Sequence, residues 1–448
     1  MASHADTLRQ LLAQGPQSSR ALQQRTGLSQ PTVSRALAAL GAELVSIGAG
    51  RSIRYALRDG ARGVGELPVY RVDSQGRIAE IGRLTPVRPE GCVMRQVDGS
   101  SHHSEGLPWW LADIRPQGFL GRAYALRHAE RLGLPPSLSE WSDAHALRAM
   151  ASHGKDMVGN LLLGEPAREQ WLGTPAPEPL RAAAKPAAYA ALAVQATRGE
   201  APGSSAGGEQ PKFMAYVAHP QGARHVLVKF SIDAQHAVAR RWRDLLLAEH
   251  LALSTLREAG VDAAHSAVID HGDQRFLELQ RFDRVGPAGR RALMSLACLD
   301  DQFVGQRDAP WPEVVQRLVR LGHVKAEAAE GAALLFAFGT LIGNSDMHPG
   351  NLSFLTDGDR PCGLAPAYDM LPMGFAPSSS GALRDGLPSL RLSPSVAPAI
   401  WRRALALAHG FLLRLGSAHG LSPGFAPCLD ALAERWLQAS EQLERLGE

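Results

Sequence analysis

"IGNSDMHPGNLSFL" (342–355) gathers Asp346, His348 and Asn351 into one short loop, directly after "GAALLFAFGTL" (331–341), the most apolar stretch of the chain. Buried polar side chains cost free energy unless they find partners. The loop is therefore expected to meet a ligand, an ion or water. A hairpin is predicted to follow: "NLSFL", a turn at "TDGD", then "CGLAPAYDM". Such a hairpin returns Asp369 to the side of Asn351. Two oxygen-bearing side chains at a hairpin end, with a carboxylate just upstream, suit Mg²⁺ held against ATP phosphates, because Mg²⁺ takes a few protein oxygens plus phosphate and water.

The spacing D-x-x-x-x-N followed by a later Asp is the one protein kinases use. There the first Asp takes the substrate hydroxyl proton, and the Asn and later Asp hold metal. Upstream lie the other parts such a site requires. "SSAGGEQPKF" (204–213) is a Gly-containing loop before a strand, able to lie over phosphates with backbone N–H groups. "HVLVKF" sets Lys229 on the next strand, where its ammonium can pair α/β phosphates. "FLELQRFDRVG" (276–286) ends a strand in an extended segment whose backbone can bind adenine, with Asp283 near the ribose. Each part alone has a plainer reading: a glycine-rich turn, a solvated strand lysine, a loop that caps a helix or binds a structural ion. Their order along the chain carries more weight than any single match.

Composition bounds the alternatives. A chain of 448 residues is long enough for two or three domains. No run of about 18 apolar residues predicts a membrane span, and "MASHADTLRQ" lacks a signal-peptide pattern. Cys92, Cys298, Cys362 and Cys428 are scattered without a CxxC pair, which argues against zinc and fits a reducing cytoplasm. The net charge of +3 says little about partners, but 42 of the 47 basic residues are arginine. Where arginine is the default, a lysine at a functional position suggests a need for a compact ammonium.

Residues 1–60 read as a separate module: three short helices, the third opening "QPTVSRALAALGA", then a hairpin in "ELVSIGAGRSIRYALR". That pattern is a winged helix-turn-helix. Gln30, Thr32, Ser34 and Arg35 fall at the start of its recognition helix, and Arg51 and Arg54 on the wing, placed to reach DNA phosphates. Seven arginines against three acids give this module a modest positive footprint. The alternative is a dimerisation or docking module. Residues 61–165 read as mixed α/β, with a hairpin in "LPVYRVDSQGRIAEIGRL" and a Trp pair (Trp109, Trp110) expected to pack a core. Residues 166–200, rich in Ala and Pro, read as a linker. Nucleotide-binding strands are expected over 201–283, completing an N-terminal lobe of 61–283, and a helical lobe over 284–448.

"SAGGEQPK", "VLVKF", "LQRFDR", "GNSDMHPGNLSF" and "APAYDMLP" together resemble the HipA family of bacterial serine/threonine kinase toxins. The likeness extends to "VYRVDSQGRIAEIGRL" and "GKDMVGNLLLG", covering roughly 66–448; with an N-terminal winged helix it is most similar to the YjjJ (HipH) branch. The resemblance implies an α+β chain: the winged helix-turn-helix, then a two-lobed kinase-like fold with a mostly helical C-terminal lobe. It implies Asp346 as catalytic base, Asn351 and Asp369 as Mg²⁺ ligands, and Lys229, Lys212, His348 and Tyr368 at the ATP, with Gln280, Phe282 and Asp283 as hinge. Ser205 matches the family's autophosphorylated serine, with Ser204 its rival; nearly two added charges there repel ATP phosphates. The family's partners would be a translation-related protein substrate and a HipB-type helix-turn-helix antitoxin. Winged helices commonly bind DNA as dimers, so a homodimer is expected.

Two departures stand out. Arg240 and Arg241 replace the family's Asn-Glu after the lysine strand, leaving Lys229 without an evident acidic partner unless Glu249, two turns on, serves. Glu209 brings a negative charge into the phosphate loop. Small-molecule phosphorylation is a rival within the enzyme class. A DNA-binding regulator whose kinase-like part only senses nucleotide is the rival from another class.

Overall fold

A computed structural model describes residues 3–198, 207–358 and 360–445. The chain mixes helix and sheet. Helices His4–Leu12, Ser19–Thr26 and Gln30–Leu40 pack around Leu8, Leu12, Leu22, Val33 and Leu37. Ser3 and Asp6 form a reciprocal capping box at the first, and Ser18 and Gly27 bound the second. A hairpin of Leu44–Ile47 and Arg54–Leu57 follows.

That hairpin packs the 1–60 module onto the rest of the chain. Val45, Ile47 and Ala56 bury their side chains with Val87 and Val93 of the next sheet, and Gly48 N donates to Ser101 Oγ at 2.7 Å. One face of the hairpin is thus a core face shared with its neighbour.

The neighbour is a five-stranded antiparallel sheet in the order Ser101–Ser104, Gly91–Gln96, Ile78–Val87, Leu67–Val72, Leu161–Leu163. Helix Asp143–His153 and the turn Trp109–Ile114 cover it through Leu111, Leu147 and Met150. The two tryptophans split: Trp110 packs on this core, and Trp109 meets Phe303 edge-on at 5.2 Å.

The linker expected over 166–200 is largely folded. Helix Glu165–Gly173 and helix Lys185–Thr197 occupy most of its described part. The second buries Tyr189, Ala193 and Ala196 against Phe213, Val226 and Phe276. Its alanines, mistaken for linker composition, are what let the helix lie close to the sheet. Lys185 Nζ reaches buried Glu278 at 2.7 Å, and Tyr189 OH donates to the same carboxylate at 2.5 Å.

The sheet beneath is antiparallel, in the order Ser266–His271, Gln274–Gln280, Arg224–Phe230, Lys212–Val217. Helix Ala237–Glu258 lies behind it. The remaining chain is mainly helical: Trp311–Arg320, Glu327–Leu341, Pro398–Gly416 and Ala426–Arg445, with the hairpin Ser353–Thr356/Gly363–Leu364 at its front. Helix Glu327–Leu341 buries Leu334, Leu335, Phe338 and Leu341 among these neighbours, which accounts for its apolar sequence. Among the described residues no helix is long and apolar enough to cross a membrane, and all four cysteines are buried free thiols.

Candidate active site

A cavity of about 420 Å³ opens between the four-stranded sheet and the loop after helix Glu327–Leu341. Its size falls in the range of small-molecule sites. Gly207, Gly208 and Lys212 border it on one side, Lys229 and Leu279 line it from the sheet, and His348, Asn351 and Asp369 face them.

Lys229 sits near the end of its strand and is only 4% exposed. Its Nζ donates to both oxygens of Glu249, at 2.7 and 2.8 Å, and to Asp369 Oδ1. Glu249 is fully buried on helix Ala237–Glu258. The missing acidic partner is therefore Glu249. Burial opposes the Lys229 ammonium, but the two carboxylates outweigh it and hold its pKa above the ordinary lysine value. Burial acts the other way on Glu249 and raises its pKa. Arg241, which replaces the expected acid, turns away: it is buried and donates to the carbonyls of Phe375, Arg384 and Gly424 and to Asp385. It ties the helix to the C-terminal segment.

Asp369 is the only described non-glycine residue with positive φ, at 51°. An aspartate tolerates the left-handed region at a cost, and strain of this kind gathers at functional sites. Burial disfavours its charge, yet Lys229 and Lys212 keep its pKa below the ordinary value. Asn344, 5% exposed, fixes it in place. Its Nδ2 donates to Asp369 O at 3.1 Å and its Oδ1 accepts from Asp346 N at 3.0 Å. One amide thus joins the two halves of the site, a role the sequence reading missed although "GNSD" displays the residue.

Asp346 lies exposed on the loop; desolvation and the nearby Asp369 raise its pKa, against the pull of His348 and Lys229. Asn351 donates Nδ2 to Asp346 O at 2.8 Å, so its amide oxygen is the end left to face the cavity. His348 Nδ1 accepts from Gly350 N at 3.0 Å. Tyr368 OH donates to Gly350 O at 2.8 Å and lies 2.6 Å from Ser353 Oγ, pinning the returning hairpin to the loop. The donor set of an amide oxygen and a carboxylate, with phosphate and water, fits Mg²⁺. Among the described residues no cluster of three or more His, Cys, Asp or Glu forms a fuller cage.

Lys212, 3% exposed, donates to Gly207 O. Burial, reinforced by Lys229, lowers its pKa to about 8 against the pull of Asp369. Gln280 and Phe282 line the cavity; Gln280 Oε1 accepts from Arg224 at 2.7 Å, and the Phe282 ring lies 5.8 Å from that of Tyr368. Asp283 has other partners besides the cavity. It borders the cavity, but its carboxylate accepts from Arg281, Arg284 and Gly159 N at 2.7 to 3.0 Å. That carboxylate shares an ion network with Asp156, which joins the middle sheet's domain to the C-terminal part of the chain. Ser204 and Ser205 lie outside the described residues.

Comparison with known proteins agrees with the motif order. A family description of the YjjJ-like toxin middle domain matches residues 64–172, and one of the HipA-like C-terminal domain matches 204–404. Toxin YjjJ of Escherichia coli K12 is 38% identical over 98% of this chain and 99% of its own. The chain belongs to the YjjJ-like toxins of the HipA family. Solved structures resemble it more loosely. HipA of Shewanella oneidensis, determined with HipB and operator DNA, has a TM-score of 0.49 at 16% identity, over 85% of this chain and 97% of its own. The Helicobacter pylori proinflammatory kinase CtkA has 0.40 at 13%, over 54% and 94%.

Proposed function

We propose that this chain is an ATP- and Mg²⁺-dependent serine/threonine protein kinase of toxin type, joined to a DNA-binding module. The observation that carries the reading is the convergence of Lys229, Asn351 and Asp369 from three separate segments on one cavity, with Asp346 on the same loop as Asn351. Mg²⁺-ATP supplies the transferable phosphoryl group and the charge that neutralises it. Asn351 Oδ1 and the Asp369 carboxylate would hold the Mg²⁺. Lys229, held by Glu249, presents an ammonium toward phosphates, and Lys212 adds a second cation. Asp346, outside this ion cluster and open to solvent, accepts the hydroxyl proton of an incoming serine. Phosphoryl transfer asks little covalent chemistry of the protein, so positioning and charge do most of the work. Autophosphorylation is proposed at Ser205, with Ser204 the rival.

The test is incorporation of labelled γ-phosphate. Asp346→Ala and Asp369→Ala are each expected to abolish it with the fold intact; undiminished transfer in either variant removes the mechanism.

At the N-terminus, Gln30, Ser34, Arg35 and Arg54 are exposed, Thr32 is half-buried, and helix Gln30–Leu40 shows its other face to the core. This supports a winged helix-turn-helix reading DNA. Arg35→Ala is expected to weaken DNA binding and to flatten its salt dependence by about one unit of slope. Unchanged binding of a genomic promoter fragment would count against it. A second reading, a regulator that holds nucleotide with little turnover, is favoured by the Lys229–Asp369 bond, which occupies a carboxylate the metal needs. ATP binding without transfer, coupled to altered DNA binding, would select it.

A further inference from the structure

The glycine loop does not stand alone over the cavity. Helix Gly118–His128, from the middle domain, begins against it. Phe119 N donates to Gly208 O at 3.0 Å. Gly118 has φ +58°, and a Cβ there would stand 2.5 Å from Gly208 O and 2.9 Å from Gly208 N, so only glycine permits this approach. Four residues on, Arg122 pairs with Glu209, the acid that the sequence sets unexpectedly in the loop. The Phe119 ring packs edge-on against Phe230 of the lysine strand at 6.4 Å, anchoring the helix start to the sheet.

From these contacts we infer that residues 118–122 are a positioning latch for the glycine loop, built by a domain outside the catalytic machinery. The latch rests on the nucleotide-site reading for its purpose, though not for its existence. It holds Gly207 and Gly208 at the cavity rim, and Arg122 draws the Glu209 charge toward itself and away from where phosphates would lie. The pair is exposed on both sides, so its effect is on loop direction and local charge rather than on stability.

The experiment uses the full chain. Hydrogen exchange of the peptide covering 207–213 is measured without nucleotide, then ATP affinity is titrated with Mg²⁺. Gly118→Ala is expected to speed exchange and weaken ATP binding about tenfold, a factor equivalent to ~1.4 kcal/mol. Gly133→Ala is the strain-matched control: Gly133 also has φ +58°, but its nearest neighbour is Arg148 Nη2 at 3.6 Å, remote from the loop. It should leave both readouts unchanged. Arg122→Glu should weaken ATP binding, and adding Glu209→Arg should restore it. Equal loop exchange in Gly118→Ala and Gly133→Ala overturns the latch whether or not ATP binds. A wild-type protein that fails to bind ATP refutes the proposed function and leaves the exchange comparison to decide the latch.

Discussion

Replacing Glu249 with glutamine removes a negative charge from a site where Lys229 has nowhere else to turn but Asp369. Glu249 is fully buried and Lys229 is 4% exposed, and both oxygens of Glu249 lie within 2.8 Å of the ammonium. Breaking one partner of a buried pair typically costs about 3–5 kcal/mol. Here Asp369 remains as an anion, so the expected loss is near the lower end, ~3 kcal/mol. The functional effect follows from the same geometry. With Gln at 249, Asp369 is the only anion left on Lys229, and that bond must open before the carboxylate can take a metal. Glu249→Gln should therefore lower both stability and apparent Mg²⁺ affinity. Urea unfolding followed by tryptophan fluorescence, with Mg²⁺ titrated at fixed ATP, reads both quantities. A loss below ~0.5 kcal/mol, the range of an ordinary surface change, with unaltered Mg²⁺ dependence would refute the reasoning.

Lys212 gives a pH signature. Its pKa is lowered to about 8, so above that pH the ligand-free site loses a cation. ATP, which favours the protonated form, should bind progressively more weakly as pH rises past 8, and Lys212→Met should flatten that profile. On stability the sign is opposite: between about 8 and the unfolded lysine value the unfolded chain holds more protons, so this group makes folding more favourable as pH rises. Asp283→Asn should destabilise the junction with the middle domain, since it leaves Arg281 and Arg284 short of a buried anion. The ATP affinity of the folded fraction should nevertheless hold, and a selective loss of ATP affinity without a loss of stability would return Asp283 to the ribose.

Much of the site was legible because its parts are local motifs: the loop with Asp346 and Asn351, the returning hairpin with Asp369, the lysine strand. What sequence left open or missed depends on packing between distant elements. Glu249 lies 20 residues beyond Lys229, and only the helix's seating against the sheet brings it there. The Arg240–Arg241 pair read as a defect because sequence does not show that Arg241 points to the C-terminal segment. Sequence placed Asp283 near the ribose but did not show that its carboxylate also pairs with Arg281 and Arg284. The 166–200 stretch misled by composition, since alanine-rich chain serves a close-packed helix as well as a linker. Lys185, Lys212 and Lys229, three of the five lysines, are buried, two of them at the cavity.

The most direct measurement is a crystal structure with Mg²⁺ and a non-hydrolysable ATP analogue. The expected result is a metal about 2.1 Å from oxygens of Asn351 and Asp369, the Lys229–Asp369 bond opened, and Lys229 turned to the phosphates while still held by Glu249. A nucleotide bound elsewhere, or bound in the cavity with Asp369 still closed on Lys229 and no metal beside it, would contradict it.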